Sequence, residues 1–242
     1  MRLISLALIF IFLFIQSSWA FSLSEAQGDY VRGDYESAIH KARSLEESDE
    51  VLYFLGVAYI KAAEYLQARK YLRQLIRAFP NSYLCPQGKV KLADTYFLQR
   101  DYDNAIELYR AIMKEYPSLS NMPLVLLRMA QISSRRGDWG AKKKYLSSIK
   151  AKYPQSSEMK FVKILESYGD FFTIQVGAFT SEVNALALVD NLKKKYDAYV
   201  VADTNGGYSI HKVRVGHFKE RYEVEKVASE LSDQGYPACI YP

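Results

Sequence analysis

The sequence predicts an all-α solenoid of helix pairs followed by a small α+β domain, in which a four-stranded antiparallel sheet carries two helices on one face. Proline recurs at Pro80, Pro117 and Pro154 with a spacing of 37 residues, which indicates a tandem repeat. Apolar residues within the repeats follow a helical period, whereas after Gly169 they alternate as in strands. The element order after Gly169 is predicted to be β-α-β-β-α-β.

The first 20 residues have the composition of a secretory signal peptide. Arg2 precedes an apolar run of 13 residues, and the small residues Ser18 and Ala20 occupy the positions expected before a cleavage site. We therefore expect cleavage after Ala20 and export from the cytoplasm. An uncleaved membrane anchor is the alternative, although the run is shorter than the ~20 residues that span a bilayer.

Each 37-residue unit is predicted to be a pair of amphipathic helices. The first helix contains the pattern Leu-Gly/Ala-x-x-Tyr, as in Leu55–Tyr59 and Leu92–Tyr96. The second helix ends at an aromatic residue before proline, as at Tyr116, because proline donates no N–H and clashes with the preceding turn. Small residues at equivalent positions allow close helix packing, and these are Gly56, Ala93, Ala130, Ala68 and Ala105.

This pattern resembles the tetratricopeptide repeat at most of its signature positions. An earlier partial copy lies at Gly33–Ile39, so four repeats are expected, the first with a shortened second helix. Helical periodicity continues over Ser156–Tyr168, which we interpret as a helix that caps the last apolar face, as solenoids require. Residues 21–168 are thus predicted to form the repeat domain.

The resemblance implies that the concave face of the repeats binds a protein, here an unidentified envelope protein. The first helix of each pair lines such a face. Several of its residues, Val57 and Leu127 in particular, have the alternative of belonging to the core. The predicted groove residues are Tyr53, Val57, Ile60, Lys61, Asp94, Phe97, Leu127, Gln131 and Arg135.

Charge is distributed unevenly along the repeats. Residues 21–50 contain eight acidic and three basic residues, whereas residues 123–163 contain ten basic and two acidic residues. Such runs are typical of solvated helix faces. The alternative for the basic stretch is a patch that meets an anionic wall polymer, a phospholipid surface or an acidic partner.

The C-terminal elements follow from periodicity and from turn residues. Thr180 or Ser181 is expected to cap the first helix, and the stretch Asp203–Gly207 has the composition of a turn. The expected strands are Phe171–Phe179, Ala198–Ala202, Tyr208–Val215 and Ala238–Tyr241, and the expected helices end near Lys195 and Ser232.

Two related sequence motifs occur in the C-terminal region, after Gly169. Val176-Gly177-Ala178-Phe179 is echoed by Val215-Gly216-His217-Phe218, each at the end of a strand and before a helix. The pair strongly resembles the SPOR domain over residues 171–242, and we place the domain at 170–242. The resemblance implies binding to bacterial peptidoglycan, specifically to glycan strands stripped of stem peptides at the division septum. It therefore implies residence in the periplasm or cell envelope of a bacterium.

Strand alternation predicts which side chains leave the core. Ile174, Val176, Val213 and Val215 should face the helices, and Thr173, Gln175, Gly177, Ile210, Lys212 and Arg214 should occupy the open face of the sheet. Lys212 or Arg214 is expected to pair with a lactyl carboxylate of the stripped glycan. Gln175 would bind an N-acetyl amide, and Tyr208 and Ile210 would pack on acetyl methyl groups or sugar faces.

One position departs from the family pattern. Where SPOR domains usually carry arginine, this sequence has Lys212, which keeps the charge and loses the planar, two-pronged donor. A repeat scaffold for envelope assembly or secretion, with a SPOR-like domain that no longer binds glycan, is therefore the alternative function.

The sequence gives little support to other functional classes, namely metal or cofactor proteins, wall hydrolases and nucleic-acid binders. The three histidines are scattered, and Cys85 and Cys239 lie in different predicted domains, so we expect no metal, no cofactor and no catalytic residues. A wall hydrolase would need an acid–base or nucleophile set that is not visible. A nucleic-acid binder is disfavoured by the export signal and by the lack of an aromatic pair on the middle strands. The acidic balance of residues 170–242, ten acids against eight bases, also argues against general polyanion binding.

Overall fold

The computed structural model describes residues 21–205 and 208–242. The predicted signal peptide, residues 1–20, and the predicted turn residues Gly206 and Gly207 lie outside these ranges. The chain divides between Leu119 and Ser120 into two compact units, which are described separately. This division falls inside the repeats, between the third and the fourth helix pair.

The described part of the first unit, residues 21–119, contains three packed helix pairs. Four of the helices begin at an N-cap residue whose side chain accepts a hydrogen bond from a backbone N–H group of the first turn. These N-cap residues are Ser22, Asp34, Ser48 and Asp101. The helices are α1 (Leu23–Arg32), α2 (Tyr35–Arg43), α3 (Asp49–Lys61), α4 (Tyr65–Ala78), α5 (Cys85–Leu98) and α6 (Tyr102–Glu115). The predicted aromatic-proline stops are confirmed, since Phe79 and Tyr116 are the C-cap residues of α4 and α6.

Close helix packing in this unit depends on the small residues. A Cβ placed on Gly56 of α3 would lie 2.5 Å from Cδ2 of Leu72 on α4. Ala68 and Ala93 are fully buried. The repeat columns of small residues therefore mark where the two helices of a pair touch.

The turn inside each pair uses a left-handed backbone at the same repeat position. Gly33 and Gly137 adopt φ values of 87° and 77°, which glycine tolerates without strain. Ala63 and Arg100 hold the equivalent position with φ values of 60° and 62°. Two of the four turns thus carry a side chain where glycine would be preferred.

The second unit begins with helices α7 (Met122–Arg136), α8 (Trp139–Lys152) and α9 (Met159–Ser167). The α9 helix contacts both α7 and α8 and buries Val162 against them, as expected of a helix at the end of the repeats. The unit continues with β1 (Phe172–Phe179), α10 (Glu182–Leu192), β2 (Ala198–Asn205), β3 (Tyr208–Phe218), α11 (Arg221–Asp233) and β4 (Cys239–Tyr241).

The four strands form one antiparallel sheet in the order β2-β3-β1-β4. Both α10 and α11 pack on one face, over a core that contains Ile174, Val176, Val213 and Val215. The predicted fold class and the predicted inward residues are therefore confirmed. None of the helices described here is both long and apolar enough to cross a bilayer.

The register of β1 against β3 shifts between Gln175 and Gly177. As a result Gly177 pairs with Val213, and a Cβ on Gly177 would lie 3.2 Å from Leu188 on α10. The prediction that Gly177 lies on the open face is therefore wrong. A β-bulge inserts one residue into the strand and reverses the alternation beyond it.

Candidate functional site

The open face of the sheet carries a cross-strand row of polar side chains. Arg214 on β3 pairs with Gln175 on β1 and with Tyr199 on β2. Lys212, two residues earlier on the same face, pairs with Ala178 and Val201. Both cations therefore project from the side of the sheet that the helices leave uncovered, as strand alternation predicts.

Lys212 is engaged by a carboxylate within the sheet. Its ammonium group donates a hydrogen bond to Oδ2 of Asp203, which lies near the end of β2. The two side chains are partly exposed, so an incoming anion would compete with Asp203 for the ammonium group. Sequence reasoning assigned Asp203 to a turn and missed this pair.

The guanidinium group of Arg214 contacts an aromatic ring, and one of its nitrogens lacks a hydrogen-bond partner in the described part of the chain. Its guanidinium lies 5.6 Å from the centre of the Tyr241 ring, which is a cation–π contact. Within the described ranges, its buried Nε has no hydrogen-bond partner. A buried donor without a partner costs free energy, so a shift of this side chain that brings Nε to an acceptor would be favourable.

Both cations line an open pocket of about 420 Å³ on this face. Among the lining residues, the imidazole of His217 stacks on the Tyr199 ring with a centroid distance of 4.7 Å and packs edge-on against the Phe171 ring at 4.5 Å. One side of the pocket is formed by residues that precede β1. The lining residues are Ser167, Tyr168, Gly169, Phe171, Thr173, Tyr199, Val201, Ala202, Asp203, Lys212, Arg214, His217 and Pro242.

The structure brings only some of the predicted site residues into this pocket. Lys212 and Arg214 line it, whereas Gln175 lies beside Arg214 on the sheet and Ile210, 41% exposed, lies beyond the pocket opposite Asp203. The side chain of Tyr208 falls outside the described part of the structure. Tyr199, Phe171 and His217 were not predicted, and only the pairing of β2 with β3 would have pointed to Tyr199.

The groove residues of the first unit differ in exposure. Tyr53, Val57, Ile60 and Phe97 are partly buried, and Lys61 is exposed. Asp94 is buried and accepts a hydrogen bond of 2.6 Å from the Tyr109 hydroxyl.

The carboxylate of Asp94 acts electrostatically on the Tyr53 hydroxyl within the first unit. Burial, and next the nearby carboxylate of Asp94, raise the pKa of the Tyr53 hydroxyl. The groove surface therefore combines an aromatic hydroxyl with a carboxylate that is already hydrogen-bonded inside the fold.

The predicted groove residues of the second unit range from buried to exposed. Leu127 is 3% exposed, which matches the alternative that it belongs to the core. Gln131 accepts a hydrogen bond of 3.0 Å from Arg128, and Arg135 is exposed. In this unit, only Gln131 and Arg135 of the predicted set are accessible to a partner.

Nothing in the described ranges suggests a metal centre. No group of three or more His, Cys, Asp or Glu side chains is arranged there as ligands. Cys85 and Cys239 are free thiols, the former buried and the latter exposed.

Comparison with known proteins shows two family similarities. Residues 168–242 match the SPOR domain family, a family that binds peptidoglycan. Residues 53–120 and 124–156 match tetratricopeptide-repeat families, which mediate protein interaction. Both kinds of domain belong to non-catalytic families. No curated protein matches the chain in sequence.

Several solved structures resemble part of the chain. PilF of Pseudomonas aeruginosa is 19% identical with a TM-score of 0.44, and the similarity covers 58% of this chain and 64% of that chain. MamA AMB-1 is 16% identical and MamA MSR-1 is 19% identical, each with a TM-score of 0.44. Each of these two similarities covers 60% of this chain and 80% of the MamA chain.

The helix pairs match the tetratricopeptide-repeat families, and the four-stranded sheet with its two helices follows them over the residues that match the SPOR domain family. The chain is a tetratricopeptide-repeat protein with a C-terminal SPOR domain.

Proposed function

We propose that this protein is a non-catalytic adaptor of the bacterial cell envelope. Its SPOR domain binds glycan strands that have lost their stem peptides, which places it at the division septum, and its repeats hold an envelope protein. The observation that carries the proposal is the pair of cations, Lys212 and Arg214, in one pocket on the open face of the sheet.

The chemistry of stripped glycan fits this pair. Removal of a stem peptide leaves a carboxylate on each muramic acid residue, where the intact polymer has an amide. A carboxylate accepts charge-assisted hydrogen bonds from ammonium and guanidinium groups, which are about twice as strong as neutral ones. Lys212 supplies the ammonium group and Arg214 the guanidinium group of this pair.

A pull-down with purified cell-wall sacculi tests the glycan assignment. We expect the protein to bind sacculi treated with an amidase and to bind untreated sacculi less well. Lys212→Ala should weaken binding roughly tenfold or more, since a lost hydrogen bond to a charged group costs about 1.5–3 kcal/mol. Gln175→Ala should weaken binding roughly two- to tenfold, since a lost neutral hydrogen bond costs about 0.5–1.5 kcal/mol. Lys212→Arg should preserve or improve binding, because it restores the forked donor.

The matched control for Lys212→Ala is Lys226→Ala. Lys226 is an exposed lysine on α11, on the opposite side of the sheet, so its removal changes net charge without touching the open face. Wild-type affinity in both Lys212→Ala and Gln175→Ala would place the glycan site elsewhere. A wild-type protein that ignores stripped glycan would favour the scaffold alternative, in which the sheet has lost its ligand.

The partner assignment rests on the accessible groove side chains. Val57, Ile60 and Phe97 are apolar and only partly buried in the first unit, so they offer contact area that the fold does not use fully. Crosslinking from these positions in envelope extracts should capture a protein, whereas crosslinking from exposed Tyr83, between α4 and α5, should not.

Export is proposed from the sequence of residues 1–20. The mature chain is expected to begin at Phe21, and N-terminal sequencing of the protein from the periplasmic fraction would show this. Recovery of the chain with Met1 intact in membranes would support the uncleaved anchor instead.

A further inference from the structure

The pocket on the open face is bounded by residues that precede the sheet. Ser167, Tyr168, Gly169 and Phe171 form one of its sides, and we name residues 167–171 the wall segment. Tyr168 is 47% exposed although it lines the pocket, so much of its ring is available to a ligand.

The wall segment is held by a buried lysine of the last helix pair. Lys142 on α8 is 2% exposed, and its ammonium group donates to the carbonyls of Tyr168 at 3.0 Å and Gly169 at 3.2 Å. It also donates to Oδ1 of Asp170 at 3.2 Å. A lysine ammonium has three protons, so these acceptors use all of its donor capacity.

Further contacts tie the segment to the sheet. Asp170 pairs with Lys143 at 2.7 Å, and its backbone carbonyl accepts a hydrogen bond of 2.7 Å from Lys219. Burial acts to raise the pKa of Asp170, but the two neighbouring ammonium groups outweigh it and hold that pKa below its ordinary value. Asp170 therefore stays ionised and keeps the lysines in place at neutral pH.

Gly169 allows the aromatic side of the wall segment to form. A Cβ on Gly169 would lie 2.0 Å from the ring of Phe171, so the ring occupies the space that a larger residue would need. Phe171 in turn meets His217, which stacks on Tyr199 of the sheet. The aromatic surface thus continues from the wall segment to Tyr199 on the sheet.

We propose that the wall segment adds a sugar-stacking subsite to the glycan site, and that Lys142 of the last repeat pair acts as its positioning residue. Tyr168 contacts the apolar face of an amino-sugar ring while the carboxylate of the same glycan reaches Lys212 and Arg214. The pocket volume lies within the range of about 300–1,000 Å³ that small-molecule sites occupy. This inference rests on the proposed glycan binding and makes the site a joint product of the repeats and the SPOR sheet.

Calorimetric titration of the purified full chain with soluble stripped glycan strands tests the subsite. Tyr168→Ala should weaken binding roughly tenfold, which corresponds to about 1.4 kcal/mol, and Tyr168→Phe should bind like the wild type. The matched control is Phe161→Ala. Phe161 is an aromatic residue of α9 with a similar exposure of 44%, and it does not line the pocket.

The role of Lys142 is tested by a double-mutant cycle. Lys142→Met should weaken glycan binding, and adding Tyr168→Ala should cost little more, because the ring is already misplaced. A lysine that only stabilises the fold would lower the melting temperature and leave the two effects on binding additive. Additive effects would therefore overturn the positioning role.

The outcomes separate this inference from the proposed function. If the wild type binds and Lys212→Ala weakens binding while Tyr168→Ala matches Phe161→Ala, the glycan site stands and the subsite is refuted. If the wild type does not bind stripped glycan at all, both are overturned. If Tyr168→Ala and Lys212→Ala both lose affinity while Phe161→Ala binds like the wild type, the glycan site and the sugar-stacking subsite are both supported.

Discussion

Lys212 is the residue on which the glycan proposal depends most, and its partner Asp203 sets how available it is. Any carboxylate ligand must displace or share the contact between the two side chains. The departure from the usual arginine therefore acts together with a neighbouring acid, and the two should be considered as one unit.

Removing the acid should strengthen glycan binding. Asp203→Asn is expected to raise the affinity for stripped glycan about two- to fivefold, since a partly exposed ion pair contributes about 0.5–1 kcal/mol. Calorimetry at low salt measures this, because screening weakens such pairs.

Asp190→Asn makes the same change in net charge at an exposed position on α10, away from the open face, and should leave binding unchanged. An equal gain in both variants would show that only net charge matters. A loss in Asp203→Asn would mean that Asp203 orients Lys212 for the ligand instead of competing with it.

The helix pairs depend on glycine and alanine where two helices touch, and one glycine offers a direct test. Gly56→Ala would bring a methyl group to within 2.5 Å of Leu72, whose side chain is fully buried. Overpacking of this kind should lower the free energy of unfolding of the first unit by about 1–3 kcal/mol, as measured by urea denaturation.

Gly28→Ala in α1 is the matched control for this helix contact. Its new Cβ would meet only the end of the Arg32 side chain, at 3.5 Å. The free energy of unfolding should rise by about 0.5–1 kcal/mol, because alanine favours the helix. Equal effects of the two changes would show that helix propensity, and not the contact with Leu72, governs Gly56.

The first helix pair should be sensitive to acid through Asp29. Hydrogen bonds from Lys41 and Ser37 lower the pKa of Asp29 from its ordinary value of 3.8 to about 2. The unfolded chain therefore binds a proton that the folded chain does not, between about pH 4 and pH 2. The stability that Asp29 contributes is complete above about pH 4 and is lost as the pH falls towards 2.

Asp29→Asn removes this titration. Its free energy of unfolding should be lower than that of the wild type at pH 6, and the two values should converge as the pH approaches 2. Urea unfolding of the wild type and of Asp29→Asn, followed by circular dichroism at several pH values, measures the two free energies of unfolding. A constant difference across that range would contradict the assignment of the acid sensitivity to Asp29.

The last helix pair and the sheet belong to one unit, and Trp139 explains why. Its indole N–H donates to the carbonyl of Lys219 at 3.1 Å, and its ring centre lies 5.0 Å from that of Phe172, which is fully buried at the start of β1. Gly137 packs so closely that a Cβ there would lie 2.9 Å from the same ring. Residues 170–242 without this helix pair should therefore be less stable than they are in the full chain.

Replacement of Trp139 should loosen the sheet. Trp139→Ala is expected to lower the stability of the second unit by about 1–3 kcal/mol, less than the ~3–5 kcal/mol for a fully buried aromatic residue. Amide hydrogen exchange in β1 should accelerate accordingly.

Tyr102→Ala is the matched control, because Tyr102 occupies the same repeat column in the first unit. It should leave exchange in β1 unchanged. Unchanged exchange in Trp139→Ala would mean that the sheet does not depend on the repeats.

Local patterns were sufficient to predict the elements of this protein. Columns 37 residues apart predicted the helix pairs and their proline stops, and alternation predicted the strands and the inward valines. These features depend on residues that are close in sequence, because helix and strand periods are properties of the backbone itself. The capping by Ser181 is another local feature that the structure confirms.

Contacts between distant residues decided the rest. The bulge that turns Gly177 towards α10, the pairing of Lys212 with Asp203, and the packing of Trp139 on Phe172 each need the position of a second segment in space. A periodic pattern describes which face a side chain occupies and carries no information about which partner meets it there. The pocket and its wall segment therefore emerged only from the folded chain, where Lys142 holds the wall segment beside the sheet.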